Sequence, residues 1–253
     1  MALFTDGPLS GLEDLTAQDT QLTNVANVEG IDVTQKMALA QEELSMELVT
    51  LLEGLQRTEQ TFWLATRATI HNIAVTPPLR LWHTFRTLEM VYGDASIQLN
   101  DRYAIKRDQF AERANWAYEK LVLLGLGMVW SPVPRAAQPQ VLTAQGGVPD
   151  GAYYVSMAWI NSKNEEGASS IPTTIATASS TLLVQPVRQP DCAVGWNVYV
   201  GSDPGAMTLQ NTAPIALNQA WVQQGTITAA GRLRGAGQSP NYMMPMPRLI
   251  LRG

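Results

Sequence analysis

The residues able to do chemistry are few, and they do not converge. The two histidines, His71 and His83, have no cysteine or carboxylate at metal-ligand spacing around them. His83 is flanked by Trp82 and Phe85, the setting of a packed helix residue. The single cysteine, Cys192, stands beside Asp191 in a turn-like stretch with no nearby histidine to take its proton, so a nucleophile is not expected. A small buried or half-buried apolar role fits it better, and one cysteine excludes an internal disulfide framework and a cysteine metal cluster. Glu165 and Glu166 are paired carboxylates in a turn and are expected to be solvated. No Gly-x-x-x-x-Gly-Lys-Ser/Thr loop occurs, Gly125 and Gly127 follow a helix instead of opening one, and Gly-x-Ser-x-Gly is absent. The residues form no catalytic constellation, and neither cofactor nor metal is expected.

The elements that would position any site divide the chain in two. The organising stretch is helical and runs from Pro77 through Leu124. Leu81, Trp82, Phe85, Leu88 and Tyr92 mark its first helix, which Gly93 can terminate. Asp94 is placed to cap the next helix, or a short turn leading into it. Tyr103, Phe110, Ala114, Ala117, Leu121 and Leu124 then recur at gaps of three, four and seven, the spacing of one buried helical face. Gly125 supplies the end and Lys120 a cation in the last turn. Upstream, residues 1–12 are rich in Gly, Pro and Ser and read as an arm. Thr16 with Asp19 approximates a cap, Leu22, Val25 and Ala26 follow at helical spacing, and Gly30 ends that helix. Asp32 with Gln35 opens a longer one, with Met37, Leu44, Leu48, Leu51, Leu52 and Leu55 as its apolar stripe. Arg57 to Pro78 reads either as a further helix or as a packed loop.

Composition changes at Ser131, where three prolines in ten residues favour a stiff extended connector. Beyond it the period falls to two. Candidate strands are Ala152 to Ile160, Ile171 to Ala178, Thr181 to Gln185, Trp196 to Val200, Met207 to Gln210 and Ala220 to Val222, separated by turn formers. Short strands at such intervals predict an antiparallel sandwich. The expected fold is therefore α+β in separate domains: a helical bundle over 1–130, a linker over 131–140, an immunoglobulin- or fibronectin-like β-sandwich over 141–231, and an extended interaction tail over 232–253.

Charge narrows the partners. Charged residues make up 15% of the 253 residues, against an ordinary share of about 25%. So little charge fits a surface that partners cover in part. Residues 1–59 hold eleven acids against Lys36 and Arg57, whereas residues 204–253 hold no acid and Arg232, Arg234, Arg248 and Arg252. Such polarity suits head-to-tail contact between copies or docking of the tail on an acidic surface; the other reading is a solvated acidic face and a loose tail. No basic stripe with interleaved aromatics points to nucleic-acid binding. The longest apolar run, Leu121 to Trp130, falls short of the roughly 20 residues of a membrane span, and no secretory signal is visible at Met1, so a soluble cytoplasmic product and no membrane partner are expected.

The helical half resembles the head-to-tail adaptor, or connector, proteins of tailed bacteriophages. The likeness is carried by Val28-Glu-Gly-Ile-Asp-Val-Thr-Gln-Lys-Met-Ala-Leu-Ala-Gln41, Leu88-Glu-Met-Val-Tyr-Gly-Asp-Ala95, Gln98-Leu-Asn-Asp-Arg-Tyr-Ala-Ile-Lys-Arg-Asp-Gln-Phe110 and Gly125-Leu-Gly-Met-Val-Trp-Ser-Pro-Val-Pro-Arg-Ala136. It covers about residues 10–137, half the chain. Gly151-Ala-Tyr-Tyr-Val155 and Trp196-Asn-Val-Tyr-Val200 resemble the immunoglobulin-like modules of phage structural proteins. The resemblance implies a homo-oligomeric ring, commonly of twelve copies, in the virion neck and assembled in the host cytoplasm. Portal protein and a tail or neck completion protein would be its partners, and DNA would pass through the lumen without specific binding. It makes Asn100, Asp101, Arg102, Tyr103 and Arg107 candidate contacts to a neighbour or the portal. Tyr242, Met243, Met244, Met246, Leu249, Ile250 and Leu251 are candidate inter-protein contacts, and Glu42, Glu43 and Glu47 a lumen-facing acidic strip that would repel phosphate. Compact adaptors lack a sandwich, which leaves the role of 140–230 open. The alternative is a sugar- or surface-recognising module on an oligomeric helical stalk. An exposed aromatic platform among Tyr153, Trp159, Trp196 and Trp221 would favour it.

Overall fold

The computed structural model describes residues 1–56, 68–98, 103–178, 180–223 and 225–246. An N-terminal helical region is followed by antiparallel sheets, a mixed α+β architecture. Two compact units emerge: residues 7–128 with 240–253, and residues 1–6 with 129–239. The division thus falls near the expected break at residue 130, but both ends of the chain cross it.

In the helical unit, α1 spans Leu12–Gln18, α2 Leu22–Glu29 and α3 Val33–Gln56. Gly30 ends α2 at φ +66°, a left-handed conformation that costs glycine little. The Asp32 carboxylate accepts the amides of Thr34 and Gln35 and starts α3, as the spacing predicts. Thr16 lies within α1, where its hydroxyl bonds back to Leu12, so it caps nothing. On α3, Ala40, Leu44, Leu48, Leu51 and Leu52 are buried.

The central helix, α4, spans Pro77–Gln98 and is buried on most sides: Leu79, Trp82, His83, Phe85, Leu88, Val91, Tyr92 and Ala95 are all covered. Gly93 does not end it. Glycine in a helix interior costs only about 1 kcal/mol, which packing overrides. Asp94 is accordingly no cap but an ion-pair partner of Lys36, 2.5 Å away. Helix α5, Ala104–Leu124, buries Phe110, Ala114, Ala117 and Leu121 as read from the spacing, whereas Leu124 is exposed. After Gly125 at φ +91°, β1 (Leu126–Met128) follows.

The second unit holds two antiparallel sheets. Strands β2 (Gln140–Val148), β3 (Gly151–Asn161), β4 (Thr173–Thr177), β5 (Ser180–Gln185), β6 (Ala193–Gly201), β7 (Thr208–Leu209) and β8 (Trp221–Val222) form them. One sheet has the order β4-β3-β6-β7, the other β2-β5-β8. Val155, Met157 and Trp159 of β3 and Trp196, Val198 and Val200 of β6 share a core with Leu182 and Val184 of β5, and Trp159 lies directly opposite Trp196.

The polar position on β6 differs from expectation. Asn197 is buried, and its amide nitrogen donates to the Glu166 carboxylate. Tyr199 and Arg232 donate to Glu166 as well, at 2.8 Å, so this acid closes the outer face of the sheet instead of lying solvated in a turn. The Pro-rich stretch is extended, yet it is no spacer: Val133 and Ala136 enter the core, and Gln238 accepts the Val133 amide at 2.7 Å. Residues 1–12 are likewise no loose arm. Leu3, Phe4 and Leu9 are buried, and within the second unit Asp6 accepts the amides of Leu3 and Arg135.

Candidate interaction surface

On α5 a second apolar stripe stands opposite the buried one. Ile105, Trp116 and Leu123 are about three and two helical turns apart and so share one face. They are exposed by 68%, 48% and 60%. Lys120 lies over the Trp116 ring at 5.7 Å, shielding one side of it. On α3, Leu39, Met46 and Val49 are also exposed, on the side away from Ala40, Leu44 and Leu48. Helices that are apolar both toward and away from their own core present material for contact with another molecule.

The acidic strip lies on α3 beside that stripe. Glu42 and Glu47 are exposed and Glu43 is half-buried. Glu43 is not a free acid, because Arg86 of α4 bonds it at 2.8 Å and bonds Glu89 through its other arm. Glu43, Glu47, Arg86 and Glu89 border a groove of about 430 Å³ together with Leu44, Trp82 and Tyr118. Burial, with Glu47 nearby, pushes the Tyr118 hydroxyl above its ordinary value, so it stays protonated as a neutral donor.

Of the residues expected at the start of α5, Asn100, Asp101 and Arg102 lie outside the described residues. Tyr103 is buried, its ring 5.8 Å from that of Tyr92, so packing inside the unit fixes it and no surface is left for a partner. Arg107 is held by its neighbour Asp108 on the surface.

The tail segment is placed by β9 (Tyr242–Met244), which pairs antiparallel with β1: Leu126 opposite Met244, Met128 opposite Tyr242. Met244 and Met246 are buried and Tyr242 half-buried, and only Met243 points outward. The expectation of inter-protein contact is therefore corrected for Met244 and Met246, whose apolar area is covered within the chain. Leu249, Ile250 and Leu251 fall outside the described residues.

Among the described residues, no group of three or more His, Cys, Asp and Glu is arranged to hold a metal ion, and no helix is long and apolar enough to cross a membrane. The aromatic platform loses two of its members: Trp159 and Trp196 are core residues, while Tyr153 and Trp221 pack against that core half-buried. Sequence reasoning missed Ile105, Trp116 and Leu123. Their period was visible, but apolar residues opposite a buried stripe tell nothing until the covered side is known. No protein-family model, curated protein or solved structure matches this chain.

Proposed function

We propose that the chain is a structural virion protein, a head-to-tail adaptor of a tailed bacteriophage. It assembles into a ring, of twelve copies in this reading, between portal and tail. The observation that carries the assembly is the outward stripe of Ile105, Trp116 and Leu123 on α5, three large apolar side chains left in water by the single subunit. A ring contact is heterologous, so this face would meet a different patch of the next copy, and the stripe of Leu39, Met46 and Val49 on α3 is the complementary candidate. The resemblance of residues 10–137 to phage adaptors supplies the setting, and the scarcity of charge is consistent with it.

In this reading the β half is a separate immunoglobulin- or fibronectin-like sandwich carried by the ring, and Glu42 and Glu47 contribute to an acidic lumen through which DNA slides. The partners are the portal, a tail or neck completion protein, and passing DNA. Negative-stain images of the purified chain, alone and mixed with portal rings, test it. Rings that co-sediment with portal particles support the proposal. A protein that remains monomeric at every concentration and ignores portal rings overturns it.

A further inference from the structure

The groove between α3, α4 and α5 is lined in part by the apolar residues Leu44, Trp82 and Ala114, with the Tyr118 ring 5.0 Å from that of Trp82. Its charge is unbalanced. Glu43 and Glu89 share the single cation, Arg86, whereas Glu47 is exposed and forms no ion pair among the described residues. Carboxylates accept the N–H groups of a guanidinium, aromatic rings take its flat face, and an apolar lining takes aliphatic side chains. The matching occupant is therefore an apolar peptide that carries arginine.

The chain's own tail has that chemistry. Past Met246, outside the described residues, the sequence reads Pro247-Arg-Leu-Ile-Leu-Arg-Gly253: three aliphatic residues between two arginines, and no acid. The point from which this segment starts also fits. The Met244 carbonyl stands against Gly125, directly after the last turn of α5. Tyr118 and Ala111 lie seven and fourteen residues back from Gly125, about 10 and 21 Å along a helix. Arg248 and Arg252 follow Met244 by four and eight residues, a reach of about 13 and 26 Å when extended. Ring contacts of Trp82 with Tyr118 and of Tyr92 with Tyr103 show that α4 and α5 run antiparallel, which sets Glu89 at the level of Ala111. The spacing of the two arginines thus matches the two acidic ends of the groove.

We propose that residues 247–253 dock in this groove of their own chain, antiparallel to α5, with Arg248 at Glu47, the aliphatic run over Leu44 and Arg252 toward Glu89. The docking does not depend on the ring reading, although it takes Glu47 out of the acidic lumen considered there.

A photo-cross-linking side chain, p-benzoylphenylalanine, placed at Leu249 or at Ile250 of the full-length chain tests it, because neighbouring positions of an extended segment face opposite sides. Irradiation in dilute solution and digestion are expected to give a cross-link within the monomer, to peptides containing Leu44 or Ala114. Glu47→Lys changes an exposed residue, so it is expected to leave the melting temperature unchanged and to lower the cross-link yield about threefold or more. Arg248→Glu should lower the yield as well. No cross-link from either position, cross-links to other parts of the chain or only between copies, or a yield that neither charge reversal lowers overturns the proposal.

Discussion

Lys106 Nζ on α5 lies 2.6 Å from Asp19 Oδ2, a carboxylate in the turn between α1 and α2. Tyr92 of α4 donates to the same oxygen, and the Lys106 ammonium sits over the Tyr92 ring at 5.0 Å. One buried carboxylate therefore joins three parts of the helical unit. Burial alone would raise the Asp19 pKa, but the hydrogen bonds from Lys106, Tyr92 and the Gln21 amide outweigh it and hold the group below 3.8. The same burial and the same carboxylate drive the Tyr92 hydroxyl far above its usual value, so it remains a donor.

Replacing the shared acceptor is expected to cost more than replacing either donor. Asp19→Ala should destabilise the helical unit by about 2–4 kcal/mol, because two donors lose their partner. Tyr92→Phe should cost about 1–2 kcal/mol. Urea denaturation followed by circular dichroism gives both values. A double-mutant cycle with additive effects would refute the coupling. Since the folded Asp19 pKa is depressed, its contribution is complete above pH 3.8 and is lost as pH falls through the lower folded value.

A second acid-sensitive window lies higher, at His83. The Met37 carbonyl can only accept, so the proton sits on His83 Nε2, and Nδ1 receives the Ser10 hydroxyl at 2.7 Å. Burial pushes this imidazole below 6.5, against the Met37 carbonyl and the charge of Asp14. The unfolded chain then binds the proton more tightly. Stability should be level above pH 6.5 and decline as pH falls toward the folded pKa. Urea midpoints at about pH 7.5 and about pH 5.5 should differ in the wild type, and the difference should shrink in His83→Gln. A wild type that gains stability on acidification would contradict this.

If the proposed ring forms through the α5 stripe, outward substitutions separate assembly from folding. Ile105→Glu and Trp116→Glu are expected to weaken self-association about tenfold or more while shifting folding stability by no more than about 0.5 kcal/mol. Ala114→Glu, on the buried side, should instead unfold the helical unit. Sedimentation velocity distinguishes the two classes. Unchanged association in both outward variants would remove the stripe from the interface.

The β1–β9 pair depends on a glycine. A Cβ at Gly125 would stand 2.7 Å from the Met244 carbonyl oxygen, and φ is +91°. Gly125→Ala should release the tail strand at a cost of about 1–3 kcal/mol. Amide exchange of Tyr242–Met244 should quicken, with exchange in α3 unaffected. Equal protection in both proteins would show that the pairing tolerates the side chain.

Local patterns in the sequence account for much of this architecture. The α3 start at Asp32, the α2 end at Gly30, the buried stripe of α5 from Phe110 to Leu121 and the candidate strands from Ala152 to Val222 all depend on neighbours within a few residues, and the structure has them. What depends on distant partners was not legible. Asn197 and Glu166 look solvated in a linear reading because each is polar, and they are covered because each satisfies the other. Gly93 looks like a helix end, yet packing around α4 carries the helix past it. Residues 1–12 look like an arm, but Leu3, Phe4, Leu9 and Ser10 are covered.

The order of helical and strand segments and the poverty of reactive groups follow from the sequence by itself, since periodicity and residue chemistry are short-range properties. Only the tertiary structure decided which apolar side chains the chain covers for itself. Met244 and Met246 go inside and Ile105, Trp116 and Leu123 remain outside, because burial is set by the geometry of elements far apart in the chain.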